Sequence, residues 1–248
     1  MVRRGLSGSS RAHALGSFPA PAAEEEDTPL SWRSAPEASL SDWRIVTKGA
    51  DAQRAEYHAH RAILGVGPRK SDYFARLFTS AGAALAEGSG STSTLELEQT
   101  AFDAFPAFLD FVYEGKLEVD AASAVALLHL AHYLLNRALF DKAQQFIQDA
   151  LGPGDDEVLA FVAPVLLEQA TLYVLEEVGE ACVTVCAALF LLQVPTHWTS
   201  LEPSLFLRVL TAVEDPDPPG GRPFSDALSE HIHAYCDRHK VCHRSLQC

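Results

Sequence analysis

Cysteine is scarce in this chain. There are five in 248 residues (Cys182, Cys186, Cys236, Cys242 and Cys248), odd in number and all in the C-terminal third. A secreted disulfide scaffold carries more and spreads them along the chain, so a reduced cytosolic or nuclear setting is expected. Basic residues are also few. Nineteen lysines and arginines face 33 acids, a formal charge of −14. That balance argues against nucleic acid or a membrane surface as direct ligand, because either requires a dominant basic patch. The longest apolar run, Ala181 to Val194, is interrupted by Thr184 and Gln193. It falls short of the roughly 20 residues that span a bilayer and reads as a buried helix. No long apolar stretch follows the N-terminal arginines, so a secretory signal is not expected.

Catalytic signatures are missing as well. Gly65-Val66-Gly67 runs into Pro68 instead of completing a dinucleotide turn, and no Walker lysine follows a glycine-rich loop. Gly88-Ser89-Gly90-Ser91 lacks the G-x-S-x-G spacing of a nucleophile elbow, and no H-E-x-x-H pair occurs. Carboxylates are plentiful, yet none pair off as acid and base; a solvated acidic surface accounts for them. No catalytic residue, cofactor or metal is therefore expected. The nearest approach to a metal site is the tail, where Cys236, His239 and His243 share one helical face and offer zinc-compatible ligands. No second cysteine pair accompanies them, and a helix face with packed cysteines explains the pattern. Cys182 and Cys186, at i and i+4 in an apolar run, read as core. His129 and His132 belong at the margin of a leucine-rich helix. His58 and His60 flank a strand-to-helix junction, where imidazole commonly bonds to backbone.

What is present is apolar material, 48% of the chain, enough for a sizeable core. Met1 to Ala23 holds Arg3, Arg4 and Arg11 and no acid, a composition common to organellar transit peptides and disordered leaders. Without those arginines the remainder carries a charge near −17. Glu24 to Leu40, acidic with Pro29 and Pro36, reads as linker, which makes residues 1–40 leader and linker. Trp43, Ile45 and Val46 form a strand ending at Gly49, a polar turn runs from Gly49 to Arg54, and Tyr57-His58 suits a second strand. A short helix covers Ala62 to Leu64, and Ser71 caps another bearing Tyr73, Phe74, Leu77 and Phe78. Gly82 to Thr94 reads as loop, then Leu95 and Leu97 alternate with acids as in a half-wet strand.

Beyond this point the period is helical. Phe102, Phe105, Leu109 and Val112 share a face, with Pro106 tolerable if Asp103 lies near the N-cap, and Gly115 ends the helix. Asp120 caps the next, with Val125, Leu127, Leu128, Ala131, Leu134 and Leu135 inward, and another helix runs from Ala138 to Leu151. Leu151-Gly-Pro-Gly-Asp155, a helix stop followed by a new helix start, marks the main boundary. Helices are then expected over Val158–Leu167, Ala170–Glu177, Val178–Leu192 and Pro203–Val213. Glu214 to Pro223 is a breaker-rich loop, and Ser225 or Asp226 caps a last helix to about Val241. The fold class is α+β, a small sheet with a helical cluster, followed by an all-α module.

These pieces resemble the BTB/POZ family in order and spacing. The resemblance rests on Ser41-Asp42-Trp-Arg-Ile-Val46, Tyr57-His-Ala-His-Arg-Ala-Ile-Leu64 and Ser71-Asp-Tyr-Phe-Ala-Arg-Leu-Phe78. It continues through Leu95-Glu-Leu97, Leu109-Asp-Phe-Val-Tyr-Glu-Gly-Lys-Leu117 and Leu127-Leu-His-Leu-Ala-His-Tyr-Leu134. It implies a BTB/POZ domain over residues 41–151 in which Asp42, His60, Tyr73, Phe74, Tyr113 and Gly115 are structural motif residues. The segment Val66 to Lys70 departs from the shorter family loop and is similar to a subset with VGPR there. Residues 155–241 resemble a BACK-type helical extension, leaving 242–248 as tail. No Kelch, zinc-finger or MATH-like region is recognised, so a substrate-reading domain is either absent or outside the sequence. The family implies a protein-interaction module, not an enzyme, and many members bridge a cullin scaffold to a protein substrate for ubiquitination. Leu85-Ala86-Glu87 occupies the place of the family's cullin-contacting motif, so Leu85 and Glu87, with Phe78, are the candidate cullin-binding residues. The alternative is a self-associating scaffold or transcriptional co-regulator, a homodimer without a swapped N-terminus, because Thr28 to Leu40 shows no amphipathic helix. No nucleic acid or membrane is expected as partner, and the location is cytoplasmic or nuclear.

Overall fold

The computed structural model describes residues 29–79, 90–192, 198–214 and 224–239. The leader to residue 28, Leu85 and Glu87, and Cys242, His243 and Cys248 lie outside them. Strand β1 (Trp43–Lys48) is the centre of a three-stranded sheet. It pairs antiparallel with β2 (Arg54–Ala59), Ile45 opposite Tyr57, and parallel with β3 (Thr92–Glu96), Ile45 opposite Ser93. A parallel neighbour needs a crossover, and α2 (Arg61–Gly65) and α3 (Asp72–Leu77) lie on that path. Trp43, Ile45 and Leu95 face the core. On the other face Glu56 meets Arg44 at 3.5 Å, Arg54 at 3.7 Å and His58 at 3.4 Å, and Lys48 meets Glu96 at 3.2 Å. Singly such exposed pairs contribute about 0–1 kcal/mol; Val46, between Arg44 and Lys48 on β1, is only 3% exposed.

Two strand boundaries differ from expectation. β2 begins at Arg54, and β3 begins at Thr92, inside the expected loop. Arg54, Glu56 and Thr94 are admitted because they lie on a wet face or at an edge, while fully buried Ser93 accepts from Trp43 Nε1–H at 3.2 Å. Residues 80–89 are not among those described.

Helix α4 (Gln99–Glu114) starts earlier than expected, with Glu98 at its N-cap. Asp103 is therefore not a cap, and Pro106 is interior. Its missing N–H leaves the Phe102 carbonyl without its helical partner, while Phe105, Phe108, Leu109 and Phe111 hold the helix in the core. Gly115 closes it at φ +74°, in the left-handed region where glycine is favoured. The N-cap of α5 (Ala124–Tyr133) is Ser123 and not Asp120, which lies one turn earlier. Asp120 accepts from the Ser123 hydroxyl at 2.6 Å and from its N–H at 2.8 Å, and that bonding, the hydroxyl first, holds its carboxyl below the usual range. Helix α6 spans Arg137–Ala150, and Asp155, accepting from Glu157 N–H at 2.9 Å, caps α7 (Asp156–Leu172).

The helical half is divided differently from the expectation. Helix α7 is one piece from Asp156 to Leu172, and α8 runs from Glu176 to Leu189. The break falls at Tyr173-Val174-Leu175, not near residues 168–170 or between 177 and 178. Pro203–Ala212 (α9) agrees with expectation. The last helix, α10 (Phe224–His239), starts before Ser225 and Asp226, so neither is its N-cap; both lie in its first turn. There Asp226 faces the positive end of the helix dipole. Leu135, expected inward, is 41% exposed.

One buried cluster runs from Trp43 through Leu127 and Cys186 to Tyr235. Cys182 and Cys186 are in it, and burial pushes both thiols up to about 12. Among the described residues no helix is long and apolar enough to cross a membrane. The described residues from Ser31 to His239 belong to one compact unit. The last part of the expected linker carries a short helix, α1 (Pro36–Ser39).

Candidate docking surface

Three of the six motif residues, Asp42, His60 and Tyr113, build the junction between β2 and α2. A helix N-terminus presents unpaired N–H groups, and here Asp42 Oδ1 accepts from Arg61 N–H at 2.8 Å. His60 is 5% exposed. Its Nε2–H donates to the Ser39 carbonyl at 2.5 Å, and its Nδ1 lies 2.7 Å from the Tyr113 hydroxyl. A carbonyl only accepts, so the proton sits on Nε2 and the tyrosine O–H donates to Nδ1. The same phenol oxygen accepts from His60 N–H at 2.9 Å. Burial pushes the Tyr113 hydroxyl up to about 12. His60 and Tyr113 thereby join α1, β2 and α4. The segment before α1 is held too: Trp32 Nε1–H donates to Asp110 at 3.0 Å, and the Arg33 guanidinium pairs with the same carboxylate.

Arg69, in the Val66–Lys70 segment, turns back to the end of α4. Its guanidinium donates to the Val112 and Tyr113 carbonyls at 3.3 and 3.2 Å, supplying charge and donors where a helix C-terminus lacks partners. A Cβ on Gly115 would stand 2.9 Å from Arg69 Nη1. The Arg69 carbonyl in turn accepts from Asn136 Nδ2–H at 2.9 Å, and fully buried Asn136 also caps α6 by accepting from Leu139 N–H. Ser71 caps α3 as expected and donates its hydroxyl to the Leu134 carbonyl, while Asp72 N–H donates to Leu135. The N-terminus of α3 thus sits on the C-terminus of α5, each satisfying the other's free groups.

Phe74 is fully buried, and Tyr73 stacks toward Tyr133 at 6.3 Å. Phe78 is half-buried, edge-on to Trp43 at 4.8 Å and covered by the Arg61 guanidinium at 4.8 Å. Much of its ring is therefore used internally.

The surface with room for a partner lies on the other side of α3. A groove of about 660 Å³ is lined by His132, Phe140, Gln144, Ile147, Val174 and Val178, so that α5 and α6 form one wall and the start of α8 the other. A smaller depression of about 280 Å³ shares His132 and Phe140 and leads past Leu135 and Arg137 to Asp72 of α3. The shared residues make one apolar channel. His132 and Leu135 are named above only as helix residues, and no residue of the channel carries a partner-binding signal in the sequence. Phe140 and Val174 look like any apolar helical residues.

Two polar anchors fix the wall made by α7 and α8. Gln169 Nε2–H donates to the Ala122 carbonyl at 2.5 Å. The Tyr173 hydroxyl shares a hydrogen bond with Thr100 Oγ1 at 2.5 Å and accepts from Ala101 N–H. It thus caps the N-terminus of α4, whose own N-cap Glu98 makes no side-chain cap bond. In the tail helix, Tyr235 donates to the Leu201 carbonyl at 2.8 Å and His239 Nε2–H to that of Thr199 at 2.9 Å. Among the described residues no three His, Cys, Asp or Glu side chains gather as a metal site.

Comparison with curated proteins gives no match to the chain. Comparison with family models gives one over residues 34–151, to the BTB/POZ domain. That range runs from just before α1 to the end of α6, and it contains the sheet, the His60–Tyr113 junction and the Asn136 corner. The family is one of protein-interaction domains. The chain carries a BTB/POZ domain over residues 34–151.

Proposed function

We propose that this chain is a non-catalytic adaptor that bridges a cullin-type scaffold and a protein substrate. In this reading residues 41–151 are the scaffold-binding module and 155–241 a BACK-like extension that completes its surface. The apolar channel over α5, α6 and the start of α8 supports it most directly. Such a channel accepts one face of a helix or an apolar strand of a partner, with Phe140 and Val178 as its floor and wall. Depletion of charge on its floor, with Glu176, Glu177 and Arg137 near its edges, is the anatomy of an interface centre with a polar rim. Leu85 and Glu87 lie outside the described residues and add, by family resemblance, an apolar side chain and a carboxylate for a basic rim. A cullin, a ubiquitination substrate and a cytoplasmic or nuclear location follow from this reading.

The test is capture of the full chain by a purified cullin N-terminal fragment. Wild-type chain binds and Leu85→Asp does not. A chain that forms a homodimer by light scattering yet binds no cullin fragment overturns the adaptor reading in favour of a self-associating scaffold.

A further inference from the structure

A second opening lies on the opposite side of the α7–α8 turn. It is a cleft of about 680 Å³ between the C-terminal ends of β1 and β3 and the helices α5 and α7. Lys48, Gly49, Glu96 and Glu98 come from the sheet side, and His129, Tyr133, Leu172, Tyr173 and Val174 from the helices. Three rings form one wall. His129 stacks on Tyr173 at 4.3 Å, and Tyr133 lies parallel to His129 at 6.2 Å. Tyr133, Leu172 and Val174 are 43%, 48% and 76% exposed, a concentration of large apolar side chains facing water.

The charges on the rim are unequal. Lys48 is engaged by Glu96 at 3.2 Å, whereas exposed Glu98 has no basic partner among the described residues. Burial, then the neighbouring His132, hold the His129 imidazole below its usual pKa, Glu98 acting the other way, so the ring wall is neutral at pH 7. Neutral ring faces beside an unpaired carboxylate attract a cation, and they repel an acidic ligand. The exposed Leu172 and Val174 require an aliphatic neighbour on that ligand. Val174 adds a separate sign. It has φ +55°, an outlier for a β-branched residue, at a surface turn where glycine would be unstrained.

We propose that this cleft is a second docking site, taking a peptide segment of a partner protein that presents a lysine or arginine beside an aliphatic side chain. The cation lies against Tyr133 and His129 with Glu98 as counter-charge, and the aliphatic group covers Leu172 and Val174. The site does not depend on the cullin reading, because it faces away from the Phe140 channel and shares only Val174 with it.

The experiment is fluorescence anisotropy with full chain at physiological salt. The probe is a fluorescein-labelled nonapeptide repeating Arg-Leu-Ser, with Glu-Leu-Ser and Arg-Ser-Ser repeats as comparators. The Arg-Leu-Ser probe binds, and both comparators bind more weakly. Glu98→Gln, nearly isosteric and exposed, and Tyr133→Ala each weaken it by about threefold or more, the range expected for losing one cation contact. Glu157→Gln, an exposed acid at the start of α7, leaves it unchanged. Equal weakening by Glu157→Gln and Glu98→Gln reduces the effect to diffuse attraction by an acidic chain and overturns the proposal. So does equal binding of the Arg-Ser-Ser probe, or no binding at all.

Discussion

Two helix corners in this molecule are built alike and used differently. At the first, between α5 and α6, Leu135 N–H donates to His132 and Asn136 N–H to Ala131, at 3.2 and 2.7 Å. At the second, between α7 and α8, Val174 N–H donates to Thr171 and Leu175 N–H to Ala170, at 3.2 and 2.8 Å. Both are Schellman turns with an apolar residue, φ +53° and +55°, where glycine is usual. The first corner is locked by tertiary bonds: its carbonyls hold the N-terminus of α3, and Asn136 is tied to Arg69. The second leaves Val174 76% exposed on a ridge between two openings. The same local geometry thus closes a domain in one place and presents a surface in the other.

The comparison is sharpened first where the expected loss is greatest. Asn136→Ala removes an N-cap and leaves the part-buried Arg69 carbonyl without its amide donor, a loss of about 2–3 kcal/mol. For a chain of this size it lowers Tm by about 4–12 °C in a thermal melt. A change of a degree or less would make the first corner no more locked than the second. Gly115→Ala destabilises by about 2 kcal/mol, from left-handed strain and displacement of Arg69. Tyr173→Phe deletes the hydroxyl that caps α4 and costs about 1 kcal/mol by chemical denaturation. Val174→Gly goes the other way, because it relieves the same left-handed strain while losing little packing. It stabilises by up to about 1 kcal/mol. Opposite signs at Gly115 and Val174, which share a backbone region, show whether the neighbour or the backbone decides. The smallest effect is on pH. His129 has a folded-state pKa depressed by burial. Its contribution to stability is therefore complete above the ordinary imidazole value of about 6.5 and is lost as pH falls below it. His129→Gln should flatten the stability profile between pH 7 and 5.

Legibility in the sequence follows the same contrast. The first corner is legible as a break between a helix ending near Leu135 and one starting near Ala138, but the cap at Asn136 and the outward turn of Leu135 are not. Ser71 and Gly115 are legible because a cap and a helix stop have one obvious use. The second corner was misplaced. Val174 and Leu175 carry the composition of helix interior, and their turn is imposed by Tyr173 and Gln169 reaching elements some fifty to seventy positions earlier in the chain. Asp103 was misjudged because Pro106 signals a first turn only when its helix lacks a core strong enough to hold it in the interior. The motif residues were visible as types, but their joint work was not. That His60 and Tyr113 share one phenol oxygen, or that Arg69 needs Gly115 to lack a side chain, is fixed by tertiary packing. The channel on α5 and α6 had no signal at all. A part-buried Phe140 and a fully buried Phe105 have the same helical spacing.

The most direct measurement is a calorimetric titration of the full chain with a purified cullin N-terminal fragment, for wild type and Phe140→Ala. Phe140 lines the channel and is part-buried against the core cluster, so a thermal melt of each protein accompanies the titration and the comparison is made below the variant's own transition. Wild type binds, and Phe140→Ala weakens binding by about tenfold or more, as for an interface anchor. Undiminished binding by Phe140→Ala, or no binding by wild type, contradicts the channel as the cullin-docking surface.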